Sequence, residues 1–446
     1  MEFSFTDLRD QKSFPNLDYR YSRVDKGGQA LKLSRDFMGE NPLHYYLERG
    51  TGELIAANGV LDILEYLGKS GRKFEWGRLR TVQNNSSATI DSDNFKSGEI
   101  CDNESGPTLQ EYELPYDIDY SNLGAVGEKI RELLDNSIEK RLSTINERHI
   151  GMILSGGLDS ISVGYLLSGK NGIKVTAFTL HVGEGEADIV QSRKLAAEFG
   201  IDLVEVKVSS SDNGIALRAR KYNPGRELIY EREIANGLSP QKAFHEAVAI
   251  CANSNKDNAL CAVSMHLIAR AILEENIGTV FCGEGPNEMI NDYGFVPSNY
   301  GFKTSDKSDI RFRETLTFGG NKLSRQLGRG GLGNYAVSRM GKVFARHGMR
   351  LECPYFDREI ARIMTRVPHL TSYDTIKQHL VQKMFPEDGL DDFIMGTSKM
   401  MFQDGSGVRK LFSGYDDKKT GEILRGIYGI KSPGALDSLL RRISIS

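Results

Sequence analysis

The chain has 446 residues, 39% of them hydrophobic and 26% charged, and a formal net charge of −3. That length exceeds one ordinary hydrophobic core, so two domains are expected. The near-balanced charge makes no case for nucleic acid or a membrane surface as partner, and no apolar run reaches the about 18 residues of a membrane span.

The N-terminus, MEFSFTDLRDQKSF, has no basic-then-apolar leader pattern. Five cysteines occur, Cys101, Cys251, Cys261, Cys282 and Cys353, scattered and never in C-x-x-C spacing. This argues against a disulfide framework or a zinc site and for reduced thiols in the cytoplasm. No repeat of fixed period is present.

In chain order, Leu43–Leu47 and Leu54–Ala57 flank the turn ERGTGE and predict a hairpin in a β-rich first region. Residues 84–107 are polar and predict a loop or weakly ordered connection. Leu123, Val126, Ile130, Leu133, Leu134, Ile138 and Leu142 recur at steps of three and four, which predicts an amphipathic helix. The domain boundary is placed near its start, giving regions 1–118 and 119–446. A strand ending at Leu154 then leads to a helix from Leu158. Residues 175–180 predict a strand, 187–199 a helix, 203–206 a strand, 266–274 a helix and 278–282 a strand. The alternation predicts an α/β domain with a doubly wound, mostly parallel sheet, ligands meeting the carboxyl ends of its strands. Ser155 and Gly283 both fall just past strand ends and are expected to face one cleft.

The stretch SGGLDS, Ser155–Ser160, follows the first of these strands. Gly156 and Gly157 permit close approach of the backbone to a ligand. The N–H groups opening the next helix favour an anion, and the hydroxyls of Ser155 and Ser160 can donate to it. Asp159 repels phosphate but suits a magnesium ion bridging to one. A glycine turn with a helix cap is the plainer alternative. Two other glycine patterns fail. Gly68-Lys69-Ser70 lacks the glycine that a Walker-type loop needs at Ile63, and Gly328-Arg329-Gly330-Gly331-Leu332-Gly333 follows a basic polar stretch instead of a strand. The basic residues near it, Lys303, Lys307, Arg311, Arg313, Lys322, Arg325 and Arg329, fit a solvated surface or a substrate-facing lid.

SGGLDS resembles the pyrophosphatase-type loop of ATP-dependent amide-forming enzymes. Three further segments, in order, narrow the resemblance to the asparagine synthetase family. Gly283–Glu288, GEGPNE, is similar to that family's G-E-G-A/S-D-E. Arg339–Asp357, RMGKVFARHGMRLECPYFD, looks like its stretch ending G-x-E-x-R-x-P-F-L-D, and Ser398–Gly407, SKMMFQDGSG, resembles its lysine segment. Residues 42–46 and 55–58 resemble the later half of the family's glutamine-hydrolysing domain. That domain needs an N-terminal cysteine as nucleophile. Here Glu2 follows Met1 and no cysteine precedes Cys101, so no glutaminase activity is expected and region 1–118 is read as a non-catalytic remnant.

The resemblance implies that Leu154, Ser155, Gly156, Gly157, Asp159, Ser160, Leu180 and Gly283 bind ATP, with magnesium on Asp159 and Asn287. Asp188 matches an acidic position opening the next helix. A substrate carboxylate would be adenylated with release of pyrophosphate. The acyl group would then pass to ammonia or an amine, with Glu284 taking the proton and Lys399 offsetting phosphate charge. A loop carboxylate and a surface lysine are the plainer readings of those two. Glu284 looks like the asparagine-synthetase type, where β-lactam synthetases place tyrosine, so intermolecular amidation is favoured. An intramolecular lactam or macrolactam cyclase and a nucleotide-binding partner subunit with weak catalysis are the rivals. Four positions depart from the family: Asn287 stands for aspartate, Gly341 for Asp or Asn, and Arg350 and Glu352 exchange its Glu and Arg. Aspartate is therefore a doubtful substrate; a small-molecule or peptide acid in specialised metabolism is expected. Dimers are common in the family, so a homodimer is compatible with the resemblance.

Overall fold

The structure, a computed structural model, describes residues 4–12, 22–27, 30–36, 38–48, 51–82, 86–91, 95, 104–105, 117–185, 187–211, 214–252, 255–290, 336–367, 373–385 and 405–431. The first part holds β1 (Ser4–Asp7), β2 (Ser22–Gly27), β3 (Ala30–Arg35), β4 (His44–Glu48), β5 (Glu53–Ala57), α1 (Val60–Lys69), β6 (Leu79–Thr81), β7 (Ser86–Ile90) and β8 (Glu104–Ser105). They form two four-stranded sheets, ordered β1-β5-β4-β6 and β2-β3-β7-β8. The predicted hairpin is β4 against β5, antiparallel, with His44 opposite Ala57 and Glu48 opposite Glu53. Strand side chains alternate between faces. Tyr46, Ile55 and Ala57 accordingly join the main core with Ile63 and Leu67 of α1. Tyr45, Leu47, Leu54 and Ala56 join a second core with Leu33, Ala88 and Ile90.

The expected loop at 84–107 is corrected by β7, whose Ser86, Ala88 and Ile90 are buried on alternate positions. A half-buried strand needs apolar residues only at every second place, and here one of those places is a serine. The polar run NNSS hid it. The decoy Gly68-Lys69-Ser70 is the C-terminal end of α1, with Ser70 at its cap.

The long helix is α2 (Leu123–Leu142), opened by Asn122, whose side chain accepts from the N–H of Gly124 and Ala125. Its stripe Val126, Ile130, Leu134 and Ile138 is buried, and so is Arg141 one turn on. Next come β9 (His149–Ile153), α3 (Leu158–Ser168), β10 (Lys174–His181), α4 (Ala187–Glu198), β11 (Asp202–Ser211), β12 (Gly214–Tyr222) and β13 (Leu228–Leu238). After them run α5 (Pro240–Cys251), α6 (Lys256–Leu273), β14 (Thr279–Phe281), α7 (Pro286–Met289), α8 (Ala336–Arg346) and β15 (Arg350–Glu352). Four more helices follow: α9 (Arg358–Met364), α10 (Tyr373–Met384), α11 (Val408–Leu411) and α12 (Asp417–Tyr428).

One seven-stranded sheet organises this region in the order β13-β12-β11-β10-β9-β14-β15. From β11 to β15 its strands are parallel, whereas β12 and β13 form an antiparallel hairpin on one flank. The molecule is thus mixed α/β with a parallel-rich sheet. That hairpin and α5 had no counterpart among the predicted elements, and α6 begins ten residues before the expected start, where Asn255 caps it. From β9 the chain builds outward through β10 and β11 on one side and through β14 and β15 on the other. The order reverses between β9 and β14, where open α/β sheets place their ligands. Among the described residues no helix is long and apolar enough to cross a membrane.

Candidate functional site

Strand β9 delivers Ile153 and Leu154 to the reversal point, where Leu154 N–H still reaches Phe178 O at 2.9 Å. Its carbonyl accepts the Ser192 hydroxyl at 2.7 Å, which ties the loop to α4. Gly156 then takes φ +72°, and a Cβ there would lie 2.7 Å from the Gln191 side chain. Both facts demand glycine. Gly157 is the N-cap of α3, and no side chain caps the helix. Ser155 Oγ sits 3.2 Å from Ser160 Oγ and 3.4 Å from Gly157 N, while the Ser160 hydroxyl donates back to Gly157 O at 2.8 Å. The first turn of α3 therefore has no side-chain cap over its N–H groups and two hydroxyls beside them, the arrangement that suits an anion.

Gly283 follows β14 and is pressed onto this turn. A Cβ on it would lie 2.4 Å from Asp159 C and 2.6 Å from Ser160 N. The structure thus brings Ser155–Ser160 and Gly283 together, at the ends of strands that prove to be neighbours. Glu284, next in the chain, is half-buried. Its charge is felt at Cys261 on α6: burial raises that thiol's pKa, Arg339 opposes the rise and Glu284 adds to it. Gly285 has φ +131°, and its missing Cβ would meet Tyr355 Cβ at 3.1 Å. Asn287 stands in α7, at the end of β14, and Asp159 in α3, at the end of the adjacent β9.

The donors fit magnesium in one respect. That ion is commonly held by one or two protein oxygens plus phosphates and water. Asp159 and Asn287 offer one carboxylate and one amide carbonyl, and among the described residues no group of three His, Cys, Asp or Glu could hold a metal.

Leu180 is fully buried, and its strand runs one residue further, to His181. Burial depresses the His181 imidazole, whose Nδ1 lies 3.2 Å from Gly183 O. Beyond β10, Val182 N–H reaches Ser406 O at 2.9 Å. The Asp188 carboxylate fills the place where a Gly405 Cβ would be, 2.2 Å away. The end of the lysine segment, Gly405–Gly407, is therefore seated at the strand ends. Lys399 itself, the glycine pattern at 328–333 and the basic residues at 303–329 lie outside the described residues.

Arg350 and Glu352, the exchanged charges, pair with each other on β15. Glu352 also binds Arg141 of α2 at 2.7 Å, and Arg141 binds Glu40 at 2.8 Å and the Phe356 carbonyl at 2.8 Å. Arg350 donates to Thr144 Oγ1 at 2.6 Å. All four charged groups are buried. The exchange has kept a pair with reversed polarity and built it into a four-charge network under the site.

Sequence reasoning did not reach Tyr355. It is buried, and its phenol pKa is raised, first by burial and then by the charge of Asp159. The signal was present, since the family's P-F-L-D has phenylalanine there. Arg141 and Glu40 carried no motif at all.

Residues 129–219 match the family model described as asparagine synthase. The glutamine-hydrolyzing asparagine synthetase of Gallus gallus is 24% identical over 319 residues, covering 68% of this chain and 48% of that protein. That of Bos taurus is 26% identical over 291 residues, covering 63% and 43%. A probable asparagine synthetase of Acanthamoeba polyphaga mimivirus is 23% identical over 411 residues, covering 87% and 63%. The chain spans about half the length of the Gallus gallus and Bos taurus relatives.

Proposed function

The chain belongs to the asparagine synthetase family, and from that premise we propose that it forms amide bonds driven by ATP. A substrate carboxylate oxygen attacks the α-phosphorus, the bond to the β-phosphate breaks, and pyrophosphate leaves. An amine nitrogen then attacks the acyl-adenylate carbonyl, and AMP leaves. The observation that carries this reading is the seat of Gly283 against Asp159 and Ser160, which puts the candidate base Glu284 beside the candidate phosphate loop.

In this reading Leu154–Gly157, Ser160, Leu180 and Gly283 bind ATP, with the uncapped N–H groups of α3 facing its phosphates. Magnesium on Asp159 and Asn287 would neutralise phosphate charge. One donor being an amide, the site should need more of the ion than a two-carboxylate site. Glu284 accepts the proton from the attacking amine, and Lys399 stabilises charge at the α-phosphate. We assign the catalysis to region 119–446, with helices on both faces of its sheet, and a supporting role to region 1–118. We propose ammonia or an amine as the nitrogen source. A small-molecule or peptide acid of specialised metabolism, and a cytoplasmic setting suited to free thiols, complete the proposal.

The test is pyrophosphate release from ATP with a panel of carboxylates, with and without ammonia. Release that depends on both acid and amine is expected. Release without added amine would point to ring closure, and none under any condition to a nucleotide-binding subunit. Lys399→Ala should lower the rate strongly; full activity in that variant would remove Lys399 from the mechanism.

A further inference from the structure

We propose that Cys282 and Cys353 form a two-electron oxidation site, a dithiol that a peroxide converts reversibly into a disulfide directly beside the candidate catalytic loop. The cysteines stand 71 residues apart, and topology brings them together. Strands β14 and β15 are parallel neighbours, with Phe281 opposite Glu352 and Cys282 N–H on Glu352 O at 3.0 Å. The next residue on each strand is a cysteine, and the two sulfurs lie 3.3 Å apart. A disulfide spans about 2.05 Å, so bonding requires the sulfurs to close by roughly 1.2 Å.

Either sulfur can open the reaction. One loses its proton and attacks a peroxide oxygen, the O–O bond breaks, and water carries away the other oxygen, leaving a sulfenic acid. The other sulfur, 3.3 Å away, then displaces that oxygen as a second water, and the S–S bond forms. Two thiols lose two electrons and one peroxide becomes two waters. The sulfurs are 3% and 1% exposed by residue. That burial disfavours direct contact with a bulky disulfide such as oxidised glutathione, so a small peroxide is the oxidant proposed.

Closure has to be felt in the loop. Gly283 follows Cys282 and has no free space against Asp159 and Ser160. Pro354 and Tyr355 follow Cys353, and Tyr355 packs on Gly285. Packed interiors transmit such displacements, so Glu284 moves relative to α3. This effect on catalysis rests on the proposed ligase reading; formation of the bond does not.

The experiment treats the full chain with excess hydrogen peroxide, denatures it, counts thiols and maps peptides. Two of the five thiols should disappear, the mass should fall by two hydrogens, and a Cys282–Cys353 peptide should appear and vanish on adding dithiothreitol. Cys282→Ala and Cys353→Ala should each prevent the bridge, and oxidised glutathione should form it more slowly. Pyrophosphate release should fall about tenfold or more and return on reduction. Unchanged thiols, sulfinic acid without a bridge, or a bridge to Cys261 would overturn the site. A bridge that leaves catalysis intact would overturn the switch. A bridge in a protein that never releases pyrophosphate would leave the site standing and count against the ligase reading alone.

Discussion

The turn opening α3 and the floor beneath β15 handle charge in opposite ways. At the turn, two glycines and N–H groups without a side-chain cap are offered to a ligand by residues nearly consecutive in the chain. Beneath β15, Glu40, Arg141, Arg350 and Glu352 come from three distant segments and satisfy one another in a dry interior. An anion site needs donors left without protein partners. A buried charge needs the reverse, since desolvation without a counter-charge is expensive. The reversed Arg350 and Glu352 are tolerable because Arg141 supplies the cation that Glu352 requires from the helix behind it.

The contrast is broken most directly at Arg141. Arg141→Met removes the cation shared by two buried carboxylates and should cost about 3–5 kcal/mol, read as a lower urea midpoint. Adding Glu40→Gln to it should recover part of the loss, since Glu352 keeps Arg350 as counter-charge. A cost for the single variant below about 1 kcal/mol, the range of solvated pairs, would mean that water reaches the network.

A second buried cation responds to pH. Lys342 on α8 lies 3.1 Å from His44 Nε2 on β4, and burial lowers its ammonium from 10.5 to about 8. Between those values the unfolded chain holds a proton that the folded chain has released. Stability therefore rises as pH climbs from about 8 towards 10.5, and the penalty is fully present below 8. Its size is on the order of 3 kcal/mol. Lys342→Met should flatten that slope in urea titrations across the window. Parallel curves for the two proteins would show that Lys342 is hydrated.

The same contrast separates what the sequence made legible from what it did not. SGGLDS, the hairpin around ERGTGE and the stripe of α2 are local patterns, and each matches an observed element. Glu284 and Gly283 could be read because a motif names them in a row. Strand β7 was missed because a serine holds one of its buried places, and the β12–β13 hairpin because charged residues interrupt both strands, Arg218, Arg220 and Lys221 in one and Glu231, Arg232 and Glu233 in the other. Partners such as Glu40 with Arg141, or Cys282 with Cys353, are set by strand order and register, which no local window contains.

At the turn itself, Gly283→Ala tests the steric seat. The new methyl would fall within 2.4–2.6 Å of backbone atoms of Asp159 and Ser160, where no flexible side chain can yield. Overpacking of this kind costs about 1–3 kcal/mol. Pyrophosphate release should fall by far more than stability implies, because the displaced atoms open the candidate phosphate site. An alanine variant with unchanged midpoint and rate would mean the two strand ends sit further apart than described.

The smallest effect is expected where charge is neither offered to a ligand nor buried. Arg346 on α8 meets Glu65 on α1 at 2.8 Å, with the two side chains 47% and 37% exposed. It joins α8 to the first part of the chain, as the Lys342–His44 contact does, but in water. Arg346→Ala should change the urea midpoint by less than about 1 kcal/mol, and added salt should shrink even that, since exposed pairs are screened within about 10 Å at 0.1 M. A loss approaching that of Arg141→Met would show that connecting the two parts matters more than burial. The contrast between turn and floor would then have to be redrawn around which segments a charge joins.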